Sequence, residues 1–291
     1  MTDSPTSAAA PRGAFAPARE AIEALRASRA APALQPYLAG LWRPRALGPD
    51  APTRLATSFR VATYNVHRWA GVRGGKAFVP ERVFGVLARL DADVVALQEV
   101  LLPDDAQDLL ADLADATGYF VAFAPARRHK RGELGNALLA RVPIASALAI
   151  DLTTGALEQR AAIAIELATA SVASPLVSVV ATHLALVDRT RKRQADALLG
   201  HPQLHAPVVL LGDMNAWRRC PATRHLDATF GGDGAAAETW PLSYPAPAPV
   251  LALDRVYARG ARVSALGVAP DLAARLASDH LPVMATVDLD M

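Results

Sequence analysis

The sequence predicts one mixed α/β domain preceded by an N-terminal arm, and three observations support this fold class. Hydrophobic residues make up 52% of the 291 residues, which is enough for a substantial core. From Phe59 onward, short aliphatic runs alternate with helical patterns, as in α/β and mixed-sheet domains. Residues 1–58 are instead rich in Ala, Pro and Arg. We therefore expect a flexible arm with one short helix around residues 17–29, followed by a domain over 59–291.

Aliphatic runs bounded by polar or turn residues predict eight strands in this domain. The predicted strands are 59–67, 93–100, 135–141, 161–167, 176–184, 207–215, 253–257 and 281–289. Apolar residues at helical spacing predict helices over 80–90 and 105–118. We expect these helices to cover the outer faces of the sheet.

The distribution of charge argues against a protein that grips long nucleic acid through a global basic field. The chain carries +2 overall, while residues 1–59 hold seven Arg and four acids, or +3, so the remaining body is −1. Such a body lacks the positive field that releases counterions from nucleic acid. Three local basic clusters, at 127–131, 189–193 and 218–219, indicate either solvated surface or a rim that attracts phosphates.

The compartment is predicted from the N-terminus and the cysteine count. The chain begins MTDSPTSAAAPRGAF, with an early acid and no apolar stretch, so no secretory signal is expected. Cys220 is the only cysteine, which excludes an internal disulfide and fits a reducing compartment. No run approaches the roughly 20 apolar residues of a spanning helix. We expect a cytoplasmic monomer without a transmembrane segment.

Ionisable residues stand at the ends of several predicted strands. Such a placement costs desolvation free energy unless a partner compensates for it. The recurrence of this pattern therefore predicts that the strand ends converge on one polar site. The residues concerned are Glu99, His183, Asp213 and Asp254, which follow aliphatic runs, and Asp279 and His280, which precede the last strand.

Glu99, Asp279 and the amide of Asn65 are candidate metal ligands. Taken singly, each acid is more typical of a surface position or a helix cap. Hard oxygen donors, without clustered histidine or cysteine, suit Mg²⁺ or Mn²⁺ better than zinc. Their joint placement at strand ends thus favours a magnesium or manganese site.

The segment GDMNAW, residues 212–217, ends a predicted buried strand. Gly212 would permit a tight turn, so that Asp213 and Asn215 project from one edge. An Asx turn that merely closes the strand would have the same sequence.

The segment SDHLPV, residues 278–283, joins an acid directly to a histidine. Neighbours in extended chain point to opposite sides, so Asp279 can reach a metal while His280 faces a reacting phosphate. Asp254 is the candidate partner that orients His280. His183, at another strand end, either hydrogen-bonds a phosphoryl oxygen or leaving group, or is structural.

Seven short segments, in chain order, resemble the motifs of the endonuclease/exonuclease/phosphatase superfamily over about residues 59–291. They are YNVH, LQEV, GNALL, THL, GDMNAW, LDRVY and SDHLPV. The chain is similar to a compact bacterial, deoxyribonuclease-like branch. The resemblance implies a four-layer sandwich of two packed mixed β-sheets flanked by helices. It also implies a site where loops from both sheets meet.

The resemblance further implies roles for individual residues. It places Asn65, Glu99 and Asp279 on the metal, and it implies that Asn136 orients the site and Arg160 recognises phosphate, although an ion pair would equally explain Arg160. The remaining implied roles are water positioning or deprotonation by Asp213, phosphate binding by Asn215, an Asp254–His280 pair, and a catalytic histidine at 183. Abasic-site endonucleases typically carry tyrosine at this last position, so repair of abasic DNA is disfavoured.

The function so predicted is metal-dependent hydrolysis of a phosphoester by in-line attack of an activated water, with a phosphodiesterase or nuclease favoured. The substrate would be nucleic acid, a phospholipid headgroup or a small phosphodiester. A phosphomonoesterase of lipid or inositol phosphates and a non-catalytic binding protein of the same fold are the alternatives. The sequence leaves open whether Asp213 or His280 is the general base, and whether one or two metals bind.

Overall fold

A computed structural model describes the chain in seven stretches: residues 42–43, 51–105, 108–154, 159–202, 204–230, 240–269 and 271–289. Most of the expected arm, including the helix predicted around residues 17–29, lies outside them. The strands are β1 (Trp42–Arg43), β2 (Ser58–Asn65), β3 (Val94–Pro103), β4 (Phe120–His129), β5 (Gly132–Ala140), β6 (Ile144–Asp151), β7 (Ala161–Ala168), β8 (Leu176–His183), β9 (Val208–Asp213), β10 (Asp254–Arg259), β11 (Arg262–Val268) and β12 (Val283–Asp288). The helices are α1 (Pro80–Leu90), α2 (Leu109–Thr117), α3 (Asp188–Leu199), α4 (Pro221–Phe230) and α5 (Leu272–Ala277), with a 3₁₀ turn at His67–Trp69.

The strands form two mixed sheets. The larger has the order β1-β4-β5-β3-β2-β12-β11 and the smaller the order β10-β9-β8-β7-β6. Each contains one parallel pair, β2 with β3 and β8 with β9, among antiparallel neighbours. A parallel pair requires a crossover, and α1 and α3 lie in the two connections concerned.

Three buried clusters define four layers. One lies between the sheets and contains side chains from both, such as Val61 and Val209. A second packs α1, α2 and α5 on the outer face of the larger sheet, and a third packs α3 and α4 on that of the smaller sheet. The predicted four-layer α/β sandwich is therefore confirmed. In the part of the chain described, no helix has the length and apolarity needed to cross a bilayer.

All eight predicted strands and both predicted helices are present, with small differences at their ends. The sequence prediction missed β1, β4, β6 and β11 and the helices α3, α4 and α5. It also placed the domain boundary at residue 59, whereas packing begins earlier. Leu55 is buried between the sheets, donates its backbone N–H to Ala168 O and accepts from Ala170 N.

Gly212 lies inside β9, so the predicted tight turn at this position is wrong. A Cβ on Gly212 would stand 2.0 Å from the carbonyl oxygen of Thr182 on the neighbouring parallel strand. Glycine is therefore required by the close approach of two backbones. This approach fixes the register that pairs His183 with Asp213.

We expect Gly212→Ala to lower the free energy of unfolding by at least about 3 kcal/mol, because β8 and β9 must separate to admit a methyl group. Urea unfolding followed by circular dichroism measures this change. Gly267→Ala is the matched control, since Gly267 is also in a strand but a Cβ added there would meet no atom within 4 Å. Equal losses in the two variants would contradict the explanation.

Candidate active site

Strand register brings three predicted site residues together at one end of the smaller sheet. β8 and β9 run parallel with His183 opposite Asp213, and β9 and β10 run antiparallel with Asp213 opposite Asp254. The last residues of two strands and the first of a third thus lie in one row. The predicted convergence of strand ends is present here.

The larger sheet contributes to the same end. β2 ends at Asn65, and β12 runs antiparallel to it with Val283 opposite Thr63, so the segment before β12 returns to the end of β2. Ser278 Oγ donates a 2.6 Å hydrogen bond to Asn65 O. The residues that follow, Asp279 and His280, are thereby held against Asn65.

Asp213 joins the two sheets and is at the centre of the site. Its Oδ2 accepts a 3.1 Å hydrogen bond from Asn65 Nδ2 and lies 3.5 Å from His183 Nε2 and 3.7 Å from His280 Nε2. Its Oδ1 accepts from the backbone N–H of Asn215 at 2.8 Å. These contacts compensate for the burial of Asp213, which is only 1% exposed.

The ring of His280 is held from two sides. His280 Nδ1 donates to Asp254 Oδ2 at 2.7 Å, and the same oxygen accepts from Ser243 Oγ at 2.6 Å. The ring of Tyr244 packs on the imidazole with a centroid distance of 4.9 Å. Burial opposes the charged imidazolium, but the surrounding carboxylates, Asp254 foremost, outweigh it and raise the pKa of His280 to about 10.

His183 has the opposite electrostatic environment. Burial, reinforced by Arg160, lowers the pKa of His183 to about 3. Asn215 Nδ2 donates to His183 Nε2 at 2.9 Å and to Leu184 O at 2.8 Å. Since an amide nitrogen only donates, His183 Nε2 is the acceptor, and the ring is neutral. The two histidines therefore face Asp213 in different protonation states.

Glu99 reaches the site through a β-bulge and not, as expected from the sequence, from a strand end. β3 continues to Pro103, and its register with β5 shifts between Leu97 and Val100. Glu99 has φ of 54°, in the left-handed region, which is costly for a residue with a side chain and clusters at functional sites. The bulge turns a mid-strand carboxylate toward Arg68 Nε, 3.4 Å away.

The charge of Glu99 acts on Asp279. Burial and the charge of Glu99 raise the pKa of Asp279 above its ordinary value, against the opposing effects of His280 and His67. His67 Nδ1 lies 3.3 Å from Asp279 Oδ1. The two carboxylates remain about a quarter exposed, at 25% and 24%. Two acids that remain in contact with solvent suit a hydrated, hard cation.

A second group of donors is the buried set Asp213, Asp254 and His280, whose ligand atoms lie within 4.8 Å of one another. Here Asp254 Oδ2 is already shared by His280 and Ser243. Because Mg²⁺ keeps several of its waters, this enclosed set is the poorer fit. Asn65, Glu99 and Asp279 are the better candidates.

An open cleft lies beside His183 and is lined by Glu99, Asn136, Arg160 and Arg127. Asn136 Nδ2 donates to Ala161 O at 2.7 Å, which ties β5 to β7 across the two sheets. Arg160 and Arg127 contribute two cationic side chains to the lining of this cleft. Both predicted substrate-binding positions, 136 and 160, therefore line the cleft.

The sequence prediction missed four polar residues that hold the site. His67 and Arg68 face the two exposed acids, while Ser243 and Ser278 position Asp254 and the segment before β12. Three of them lie inside or directly beside the family-like motifs: His67 ends YNVH, Arg68 follows it directly, and Ser278 begins SDHLPV. Their position in or next to a motif is the feature of the sequence that could have identified these three residues.

Comparison with known proteins identifies the family of this chain. The model of the endonuclease/exonuclease/phosphatase family matches residues 62–280. A protein of Escherichia coli K12 described as uncharacterized, YbhP, is 28% identical over 252 residues, which cover 80% of this chain and 97% of the relative.

Solved structures resemble the fold. One described as endonuclease/exonuclease/phosphatase from Beutenbergia cavernae has a TM-score of 0.64 at 23% identity and covers 80% of this chain and 72% of its own. That of ANGEL2, described as a 2′,3′-cyclic phosphatase and bound to adenosine-2′,3′-vanadate, has a TM-score of 0.60 at 15% identity over 80% and 96%. At these identities the likeness shows the deoxyribonuclease-like fold.

Proposed function

Because the chain belongs to the endonuclease/exonuclease/phosphatase family, we propose that it is a divalent-metal-dependent hydrolase that cleaves phosphodiesters by in-line attack of water. The observation that carries the proposal is the position of Asp213. Its Oδ2 lies within 3.7 Å of two histidines and 3.1 Å from Asn65. A carboxylate and two imidazoles around one point are the groups needed to direct water at phosphorus.

Glu99 and Asp279, with the amide oxygen of Asn65, would hold the metal. Their oxygen donors suit Mg²⁺ or Mn²⁺, and their partial exposure leaves room for water and phosphate in the remaining coordination positions. A bound ion of this kind supplies Lewis-acid polarisation of a phosphoryl oxygen and neutralises charge that develops in the transition state.

The side chains of the protein direct the water. Asp213 would orient the attacking water and take up its proton, because its oxygens lie between both histidines. His280, fixed by Asp254, would donate through Nε2 to a phosphoryl oxygen. Asn215, whose amide hydrogens go to His183 Nε2 and Leu184 O, would orient His183 on the side of the leaving group. Arg160 would neutralise a further phosphate oxygen in the cleft.

The diester preference is supported by the shape of the site and by a structural neighbour. The open cleft beside His183, lined by Arg127 and Arg160, continues the site away from Asp213, so a second ester substituent would lie along these cationic side chains. ANGEL2, which shares the fold, is described as acting on 2′,3′-cyclic phosphate, which is a phosphodiester. A cyclic nucleotide, a nucleic acid end and a lipid headgroup all present this bond.

We expect bis(4-nitrophenyl) phosphate to be hydrolysed in the presence of Mg²⁺ or Mn²⁺, and EDTA to abolish the release of nitrophenol, because Glu99 and Asp279 would hold an ion whose Lewis acidity the reaction requires. Restoring either metal in excess should restore the rate. Glu99→Gln should need a higher Mg²⁺ concentration for half-maximal activity, because an amide binds the ion less strongly than a carboxylate.

Glu133→Gln is the matched control, since Glu133 belongs to the adjacent strand β5 and contacts Arg128 instead of the site. A parallel panel of plasmid and single-stranded DNA, RNA, phospholipids and inositol phosphates identifies the substrate. Activity confined to monoesters would contradict the diester proposal. Absence of metal-dependent turnover on every phosphoester would instead indicate a binding protein that has kept the fold.

A further inference from the structure

Three large apolar side chains exposed to solvent lie at the end of the sandwich that carries the site. Nine large apolar side chains are exposed among the described residues. Three of them are Leu186, Val187 and Trp217, which are 53%, 55% and 51% exposed. Four others lie within residues 242–250 and on α5, a helix that extends from Asp271, paired with Arg89 near the end of α1, to Ser278 beside Asn65. Only the remaining two, at 172 and 176, lie toward the opposite end of β8.

Leu186, Val187 and Trp217 form one surface, here called the rim patch. The buried guanidinium of Arg191 donates to Leu186 O at 3.3 Å and also to Asn215 O, and lies 5.8 Å from the centroid of the Trp217 ring. The loop after His183 and the loop after Asn215 are thus fastened to the same cation. The rim patch therefore adjoins two residues of the candidate site.

The exposure of the rim patch is built into the fold. Arg191 is only 1% exposed, and Asp188 accepts hydrogen bonds from Arg191 and, at 3.0 Å, from Arg218. Both loops are therefore held by buried or paired contacts while their apolar side chains face water. Contiguous exposed apolar groups held in this way mark interaction surfaces.

Basic side chains surround the rim patch. Arg189 and Arg193, one turn apart on α3, are exposed, and Arg218 and Arg219, directly after Trp217, have side chains 67% and 74% exposed. Asp188, paired with Arg218, and Asp227, 3.9 Å from Arg219 Nε, offset only part of this charge. An apolar centre with a basic margin complements a surface that is apolar inside and anionic outside.

We propose that the rim patch docks the protein onto an anionic lipid bilayer. Leu186 and Val187 lack the aromatic face that stacks on nucleobases, but they gain free energy by entering hydrocarbon. Tryptophan is favoured at the boundary between hydrocarbon and headgroups, and arginines bind anionic headgroups. If the proposed function holds, docking would present His183 and Asn215 to lipid phosphates.

Flotation of the full chain with phosphatidylcholine vesicles, with and without phosphatidylglycerol, tests the proposal. The wild-type protein should float with the anionic vesicles, and less so at high salt. The double variant Leu186→Ser/Val187→Ser should bind at least about tenfold more weakly, since each side chain gains roughly a decade of affinity from burial. Val172→Ser, which alters a side chain 98% exposed away from the site, should bind as the wild type does.

Brominated phospholipids provide a second readout. Bromine in the acyl chains quenches tryptophan that enters the bilayer, so vesicle binding should quench the emission of the wild type, and Trp217→Phe should remove most of this quenching. The buried Trp69 does not reach the lipid. Thermal unfolding verifies that each variant is folded.

Three results would overturn the proposal: no flotation with anionic vesicles, equal flotation of wild type and the double variant, or quenching that survives Trp217→Phe. Binding of single-stranded DNA that is lost in the double variant, without vesicle binding, would assign the rim patch to nucleic acid instead. Neither readout needs hydrolysis. A protein that floats but cleaves no phosphoester would therefore support docking and contradict the proposed function.

Discussion

Asp213→Asn is expected to lower kcat on bis(4-nitrophenyl) phosphate by at least about two decades, because positioned acid–base groups contribute roughly 10²–10⁴-fold. The substitution preserves the shape of the side chain. It also keeps an oxygen that can accept the hydrogen bond that Asn215 N–H donates to Asp213 Oδ1 at 2.8 Å in the wild type. It removes the negative charge between His183 and His280 and replaces a proton acceptor by an amide. The loss should therefore appear mainly in kcat, with a smaller change in KM.

Asp112→Asn is the matched control, because Asp112 is exposed on α2 in the outer layer, remote from the site. It should keep the wild-type rate. Thermal unfolding separates loss of chemistry from loss of structure. If folded Asp213→Asn retained near-wild-type kcat, Asp213 would not be the residue that directs the water, and His280 would become the candidate base.

The convergence of site residues was predictable because it depends on strand order and polarity. Runs such as 207–215 end in an acid after continuous aliphatic residues, and a buried strand tolerates an ionised group only at its end or where partners compensate for it. Asp213, His183 and Asp254 obey this rule, and their register places them in one row. The same logic predicted that Asp279 and His280, ahead of the last strand, return to this end.

Glu99 shows where the rule is insufficient. Its strand continues for four residues beyond it, to Pro103, and only the bulge before Val100 turns the carboxylate toward the site. A bulge depends on pairing with β5, which a single strand sequence does not contain. Glu99 therefore stays a candidate metal ligand, but it lies at a bulge within β3 and not at the strand end that the sequence predicted.

The helices and strands that the sequence prediction missed have weak patterns of apolar residues, or patterns interrupted by polar residues. α3 buries Arg191, Gln194, Ala195 and Leu198, which have helical spacing, yet two of these four side chains are polar and the segment reads as a basic cluster. Its buried arginine satisfies backbone carbonyls of two loops, a contact between segments distant in sequence. β11 is only partly buried and contains Gly267, and both features weaken the signal of a strand.

His280 and Asp254 are expected to act as one unit. His280→Ala should lower kcat by at least about two decades, and Asp254→Asn by a similar order, because the amide no longer fixes the ring with its Nδ1–H donated inward. Residues that act through the same group are not additive. The double variant should therefore be nearly as active as His280→Ala alone.

A double-mutant cycle on kcat measures this coupling, with Ser243→Ala as a third variant. Ser243 donates to the same Asp254 oxygen at 2.6 Å and acts on His280 only through it, so its loss should reduce kcat far less than the loss of either partner. If the effects of His280→Ala and Asp254→Asn were instead to multiply in the double variant, Asp254 would have a role of its own. The enclosed carboxylate, 0% exposed, would then have to act on something other than the ring that now lies 2.7 Å from it.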